Sequence, residues 1–388
     1  MNKRGGESLK ILIAPDSFKG SMTAIQAAEA MAEGVLEASP QSTPILMPAA
    51  DGGEGTMAAL VSATGGKTVE AIVEDPLGRK IAASYGVLGD QKTCVVELAE
   101  ASGLTLLTEA ERNPLLASTY GTGELITHAL DAGYRKFIIG LGGSATNDAG
   151  IGMLQALGMK FLDIHGVELG PGTVALNGLS KIDLFGFDKR IMASRFLIAS
   201  DVENPLIGPQ GASAVFGPQK GATPEMVKQL DKVLTNFADI VERFTGMALH
   251  DKKGAGAAGG AGGALQAFFL GEMRRGIDLV LEAMDFEERL IDADLVLTGE
   301  GKTDAQTLSG KAPFGIAEVA NRHGKPVILI SGMVDRLDKE QLMPYFTEIY
   351  GLVDDGISPE ESIENAYSYV KKKTEKAIRS FLKNQDLQ

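Results

Sequence analysis

The sequence predicts an α/β protein: a doubly wound parallel-sheet domain built from both ends of the chain, with a second α+β domain inserted into it. Three observations carry this. Short apolar runs alternate with amphipathic helical stretches at the start of the chain. The rhythm is then broken by three alternating strands joined by tight turns, the pattern of an antiparallel meander. After Asp292 the parallel rhythm resumes. The expected limits are 1–66 and 291–388 for the doubly wound domain and 67–290 for the insert. A ligand cleft, and a hinge near Gly65-Gly66 and Ile291-Asp292, are expected between them.

Lys10–Ala14 (KILIA) reads as a buried strand running into Pro15-Asp16-Ser17-Phe18-Lys19-Gly20. Thr23 caps the next helix, with Gln26 completing a capping box and Ile25, Ala28, Ala32, Val35 and Leu36 on one face. A strand at Ile45–Met47 ends in Ala50-Asp51-Gly52-Gly53-Glu54-Gly55, and Thr56–Ala63 is helical. Val69–Glu74, Lys80–Val87 and Thr93–Leu98 form the meander, turning at Asp75–Gly78 and Gly89-Asp90. Helices follow at Thr122–Asp131 and Pro224–Phe244, the second capped by Thr223 with proline at its first position. The last section reads as a strand at Leu295–Leu297, a helix at Phe314–Arg322, strands at Val327–Ile330 and Glu348–Val353, and one final helix opening at Ser358-Pro359-Glu360-Glu361.

The 388 residues, 44% hydrophobic, suffice for about two or three domains with large cores. The 48 glycines fall between apolar runs, so they mark turns rather than low complexity. A net charge of −14 argues against a nucleic-acid surface. Cys94, the single cysteine, lies in the apolar run Cys94-Val95-Val96 and is expected in the core, consistent with a reducing cytoplasm. The opening MNKRGGESLK has no apolar stretch of the secretory type, and no run reaches the ~18 apolar residues of a membrane span. A cytoplasmic protein is expected.

Five polar glycine-rich loops each follow an apolar run: Pro15–Gly20, Asp51–Gly55, Gly140–Asp148, Ser200–Pro205 and Gly299–Lys311. Each contains aspartate. The last holds Gly299-Glu300-Gly301-Lys302-Thr303-Asp304 and Gly310-Lys311, a charge density that chain reversal alone does not require. Glycines admit an anion to backbone amides, lysines neutralise phosphate, and carboxylates hold Mg2+ or accept a proton. Independent charged turns are the plainer reading of any one loop. Five in one chain point to convergence on one charged ligand.

Known phosphate devices are absent. Gly66-Lys67-Thr68 and Gly301-Lys302-Thr303 have Val61 and Val296 where a Walker A loop has its first glycine, and no protein-kinase motif set occurs. Gly140–Ala145 fits the loose G-x-G-x-x-A form between a strand (Lys136–Ile139) and a helix. Gly254–Gly263, before a helix expected from Leu265, is either an anion site at a helix start or a close-packing surface. His128 reads as half-buried structure, and His165, His250 and His323 show no metal spacing. Acid–base work therefore falls to Asp, Glu and Lys, which suits phosphoryl transfer better than acyl transfer.

Taken together, APDSFKGSMTA (14–24), PAADGGEGT (48–56), YGTGELI (120–126), GLGGSATNDAGIGML (140–154), SDVENPLIGPQGASAVFGPQKGA (200–222), GAAGGAGGAL (256–265) and TGEGKTDAQTLSGKAP (298–313) resemble the bacterial glycerate kinase family. This is the type with its own fold, distinct from ribokinase-like and P-loop kinases, and the resemblance covers nearly the whole chain. It implies ATP-dependent phosphorylation of D-glycerate with Mg2+, a Rossmann-like domain plus a second domain, and usually 2-phosphoglycerate as product, with 3-phosphoglycerate as the other possibility. Within it, residue chemistry suggests roles. Asp201 is the first choice for the base and Asp16 the second, with Lys19 assisting. Ser17, Lys19, Gly20, Ser21 and Asn204 would bind the acid. Asp51, Glu54 and Glu300 would hold Mg2+. Gly142, Gly143 and Ser144, with Gly259, Gly260, Gly262 and Gly263, would carry the nucleotide phosphates, neutralised by Lys302 or Lys311.

Two other classes stay open. One is an NAD(P)-dependent oxidoreductase of a small hydroxy acid, resting on Gly140–Ala145 with Asp163 or Glu168 on the ribose. The other is a sugar-acid or anion sensor. The expected partners are D-glycerate and ATP, with no nucleic acid and no membrane; a homodimer is an open alternative.

Overall fold

The structure, a computed structural model, describes residues 8–304, 307–308, 310–335, 339–353 and 356–385. The first seven residues of MNKRGGESLK, and Ala305, Gln306 and Ser309 of the lysine-bearing stretch, lie outside the described residues. Strands are numbered along the chain: β1 Lys10–Ile13, β2 Thr43–Leu46, β3 Lys67–Glu74, β4 Lys80–Val87, β5 Thr93–Glu97, β6 Lys136–Gly140, β7 Lys160–Leu162, β8 Lys181–Asp183, β9 Arg195–Ala199, β10 Glu272–Arg274, β11 Leu295–Thr303, β12 Val327–Val334 and β13 Glu348–Gly351. Two compact units are present. The first comprises Met1–Asp51, Ala58–Gly65 and Ile277–Gln388; the second comprises Gly52–Met57 and Gly66–Gly276.

The first unit holds a five-stranded parallel sheet in the order β13-β12-β11-β1-β2. Its central strands β1, β11 and β12 are apolar on both faces, as a covered parallel sheet requires. Ile11, Ile13, Leu295, Leu297, Ile328 and Ile330 join one core with helices Ala24–Ala38 and Ala366–Gln385, and the alternate residues Leu12, Val296 and Leu329 are also fully buried. The expected capping box at Thr23 and Gln26 is formed. The two helices approach closely at Gly34, where a Cβ would collide with the Lys371 carbonyl oxygen.

Two elements of this unit differ from expectation. β11 does not stop at Leu297; it runs on to Thr303 and pairs in parallel with β12 through Gly299↔Ile330, Glu300↔Ser331 and Lys302↔Met333. The glycines permit this, because a Cβ on Gly299 would strike the Ile330 carbonyl and one on Gly332 the Gly301 carbonyl. The final helix is also divided. Ser358 caps Pro359–Glu364, which ends at Asn365, and a longer helix follows from Ala366.

The second unit has a six-stranded mixed sheet, β10-β9-β6-β5-β4-β3. β3, β4 and β5 form the expected antiparallel meander. Beyond β5 the sheet turns parallel through β6, β9 and β10, a half that was not anticipated because long segments separate its strands. β7 and β8 form a separate hairpin. Cys94 is fully buried in this core, as expected, with its thiol pushed up to about 12 by burial. Thr223 caps helix Pro224–Thr245. Among the described residues no helix is long and apolar enough to cross a membrane.

Candidate active site

The order of strands in the first unit reverses at β1: the chain goes from β1 outward to β2, then returns to lay β11, β12 and β13 on the other side. Open parallel sheets bind ligands at the carboxyl ends of strands flanking such a switch. A pocket of about 280 Å³ lies there. Its floor is charged: Asp16, Ser17, Lys19 and Ser21 follow β1, Asp51 comes from after β2, and Glu300 and Lys302 come from β11, with Lys311 beyond it. The loops are locked together by an Asp16 amide bond to the Gly299 carbonyl (2.8 Å). Gly301 completes the seam, since a Cβ there would lie 3.1 Å from the Lys19 nitrogen.

Asp16 is only 7% exposed. Its Oδ1 accepts from the Ser17 amide at 2.6 Å. Burial first, then the charges of Asp51 and Glu300, push its carboxyl up to about 7, against the lowering effect of Ser17 and Lys19. Glu300, also buried, is raised by desolvation but held by partners. Its Oε1 accepts from Thr303 (3.0 Å) and Thr307 (2.7 Å) hydroxyls, and its Oε2 from Lys311 Nζ (3.1 Å). Both oxygens of Glu300 are therefore engaged, and Lys311 is committed to it. Lys302 is exposed, 3.4 Å from Asp304. Lys19 and Gly20 are exposed, and Gly20 takes φ +81 at the turn. The Ser21 amide donates to the Phe18 carbonyl (2.8 Å), and Ser21 lines the pocket.

The donor set fits a hard divalent cation. Asp16 and Asp51 are neighbouring carboxylates beside lysines, and Mg2+ ordinarily takes one or two carboxylates plus phosphate oxygens and water. Among the described residues no group of three or more His, Cys, Asp or Glu forms a metal cage by itself.

The remaining expected site residues belong to the second unit. Glu54 is exposed. Asp201 follows β9, is exposed, and its Oδ1 accepts from the Gly276 amide at 3.2 Å. Asn204 is half-buried and donates to the Gln210 carbonyl. Gly142 and Gly143 follow β6; a Cβ on Gly142 would lie 2.7 Å from Gly53 Cα, and Gly143 is exposed at φ +72. The glycine run from 254 is a packing surface: Gly259, Gly260, Gly262 and Gly263 are buried, and a Cβ on Gly259 would strike the Thr146 carbonyl. The helix after it starts at Ala261. After Gly140–Ala145 no helix opens until Ile151, so this loop departs from the dinucleotide pattern. Asp163 caps its own hairpin turn and Glu168 pairs with Lys160 at 3.2 Å.

Among the buried ionisable groups that the sequence did not mark are Lys220 and Glu97. Lys220, 2% exposed, donates to Ser144 Oγ (2.8 Å) and the Thr146 carbonyl (2.7 Å), and desolvation pulls its ammonium down to about 7. Glu97, 5% exposed, accepts from the amides of Met57 (2.6 Å) and Gly55 (3.3 Å), and burial pushes it up to about 7. Lys220 lies between glycines in the stretch 200–222 that carries the family resemblance, but nothing there marked it as buried; nothing in the run Cys94–Glu97 marked the second.

Comparison with known proteins bears on this arrangement. The model of the glycerate kinase family matches residues 11–382. The chain is 48% identical to the glycerate kinase of Bacillus subtilis over 364 residues, covering 94% of this chain and 95% of that one. It is 48% identical to the glycerate 2-kinase of Escherichia coli over 324 residues, 84% of this chain and 85% of that one. A crystal structure from Salmonella typhimurium LT2, provisionally assigned as glycerate kinase 2, superposes with a TM-score of 0.88 at 44% identity, covering 98% of this chain and all of that one. With the pocket at the switch point and a family match spanning nearly its whole length, the chain belongs to the glycerate kinase family.

Proposed function

We propose that this chain transfers the γ-phosphoryl group of ATP to D-glycerate in the cytoplasm, releasing ADP, with Mg2+ required and 2-phosphoglycerate favoured over 3-phosphoglycerate. The observation that carries the reading is the buried Asp16 beside Asp51 and Lys19, in the first-unit pocket of a chain of this family. A hydroxyl attacking phosphorus must lose its proton, and a carboxylate titrating near neutral pH is suited to accept it. Asp16 takes precedence over Asp201 for this role: it is buried in the pocket, whereas Asp201 is exposed and tied to a backbone amide. As the substrate oxygen bonds to the γ-phosphorus, its proton passes to Asp16, and the bond from phosphorus to the ADP oxygen breaks.

The other residues bind and orient. The Lys19 ammonium and Ser21 hydroxyl suit the glycerate carboxylate. Asp51 suits the metal, with Asp16 adjacent; Mg2+, when bound, neutralises the charge on the transferring phosphoryl group. Lys302 offers its ammonium to the phosphates. Glu300, saturated by Thr303, Thr307 and Lys311, holds Lys311 and the strand end in place rather than taking the ion. The test is ADP release on mixing the chain with D-glycerate, ATP and Mg2+, with phosphorus NMR of the product. No ADP above background would overturn the reading. NAD(P)H appearing with NAD(P)+ and glycerate would favour the oxidoreductase, and undiminished turnover in EDTA would remove the metal.

A further inference from the structure

Beside its charged groups, the first-unit pocket has an apolar side that begins at Met333, the register partner of Lys302. Met333 at the end of β12, Val353 after β13, and Pro359 and Ile363 of the capped helix Pro359–Glu364 line it. Ile363 is 52% exposed, and Met333 and Val353 are half-buried. Partly exposed apolar side chains lining the same pocket as charged groups suit a ligand with two chemical ends.

We infer that the apolar side of this pocket is the nucleotide subsite, with the adenine ring against Met333, Val353, Pro359 and Ile363 and the polyphosphate running to Lys302 and Asp51. The inference rests on the phosphoryl-transfer reading, which keeps glycerate at Lys19 and Ser21, and specifies which co-substrate the apolar side takes. Glycerate is a three-carbon acid with two hydroxyls, so it has no surface that an apolar wall would desolvate usefully. A nucleoside triphosphate has both a planar base and a charged tail. The space agrees: about 280 Å³ approaches the ~300 Å³ lower bound of pockets that enclose drug-sized ligands. The topology agrees independently, because the site straddles β1 and β11 at the reversal of strand order, where parallel sheets place nucleotides. The glycine-rich run at Gly259–Gly263, an alternative phosphate cradle, is filled by neighbouring backbone.

The experiment compares the wild type with Ile363→Asp and Ile363→Leu by calorimetric binding of MgADP and by KM for each co-substrate. Ile363→Asp places a polar, anionic group on the wall at a position exposed enough to leave folding intact. It is expected to weaken MgADP binding and raise the KM for ATP about tenfold or more, with the KM for glycerate within twofold; Ile363→Leu restores both. A raised glycerate KM with unchanged MgADP affinity overturns the inference, as does no change in either. As a check independent of substitution, photolabelling with 8-azidoadenosine triphosphate should modify peptides spanning 333–363. A label confined to 142–144 or 254–263 would overturn it. If the wild type binds MgADP here but never phosphorylates glycerate, the proposed function fails and the subsite stands.

Discussion

Asp16→Asn should separate activity from stability in opposite directions. The Asn side chain keeps an oxygen for the Ser17 amide but cannot accept a proton, so kcat should fall about 10²–10⁴-fold. In a loose phosphoryl-transfer transition state the proton leaves late, which favours the lower end. Stability should rise. Burial and the nearby Asp51 displace the Asp16 carboxyl from 3.8 to about 7; at about 1.4 kcal/mol per pH unit this corresponds to ~4 kcal/mol against the ionised form, part of it shared with Asp51. For an acid whose folded value is raised, the stabilising contribution is full below pH 3.8 and is lost as pH rises through 7. In chelator at pH 8 the Asn variant should therefore unfold at higher denaturant than the wild type, and at pH 4 the two should converge. Steady-state kinetics and urea titrations at both pH values are the assay. A variant less stable than wild type at pH 8, or one retaining kcat within tenfold, would refute the reasoning; in the second case Asp201→Asn is the next substitution to measure.

Three other substitutions probe the supporting structure. Lys311→Met removes the ammonium from buried Glu300 and should lower stability by about 1–3 kcal/mol in urea; adding Glu300→Gln should recover part of that loss, and failure to do so would mean the pair is not coupled. Gly332→Ala drives a methyl into the Gly301 carbonyl between β11 and β12, so a loss of about 1–3 kcal/mol is expected, with a weakened ATP response; a neutral result would show that the strands separate freely. Glu97→Gln should flatten the pH dependence of stability. Glu97 is raised from 4.5 to about 7, so the wild type should lose up to ~3 kcal/mol as pH rises across that interval, at about 1.4 kcal/mol per unit, and an unflattened variant would assign that slope elsewhere.

How much of this was visible in the sequence depended on range. Local signals read well: the capping box at Thr23-Gln26, the Thr223 cap with Pro224, and the meander turns all depend on neighbours within a few residues. The floor of the pocket was legible because its charges sit in apolar surroundings at strand ends. What failed was set by distant partners. The sequence ends β11 at Leu297 because the glycine at 299 reads as a breaker; only the Ile330 and Gly332 backbones across the sheet make glycine obligatory within a strand. The parallel pairing of β5, β6, β9 and β10 leaves no local trace, since each strand's neighbour lies tens of residues away. Glu97 and Lys220 are buried by elements the sequence does not place, so their altered ionisation could not be read from composition. The glycine run near Gly259 has the same appearance whether it meets phosphate or backbone; the close approach of the Thr146 carbonyl to Gly259 is visible only in the structure.

The placement of β1 between β2 and β11 has a consequence for biosynthesis. During translation β1 and β2 emerge together, but the partner for the other edge of β1 is still about 250 residues from synthesis, ~12–50 s at about 5–20 residues per second. Throughout that interval Ile11, Leu12 and Ile13 present an unpaired, wholly apolar edge of the kind that recruits other chains. The second unit, whose strands all lie between β2 and β11, can fold on the ribosome meanwhile. Nascent chains stalled before Leu295 should therefore bind holdase chaperones through their first strand and release them once β11 has been made.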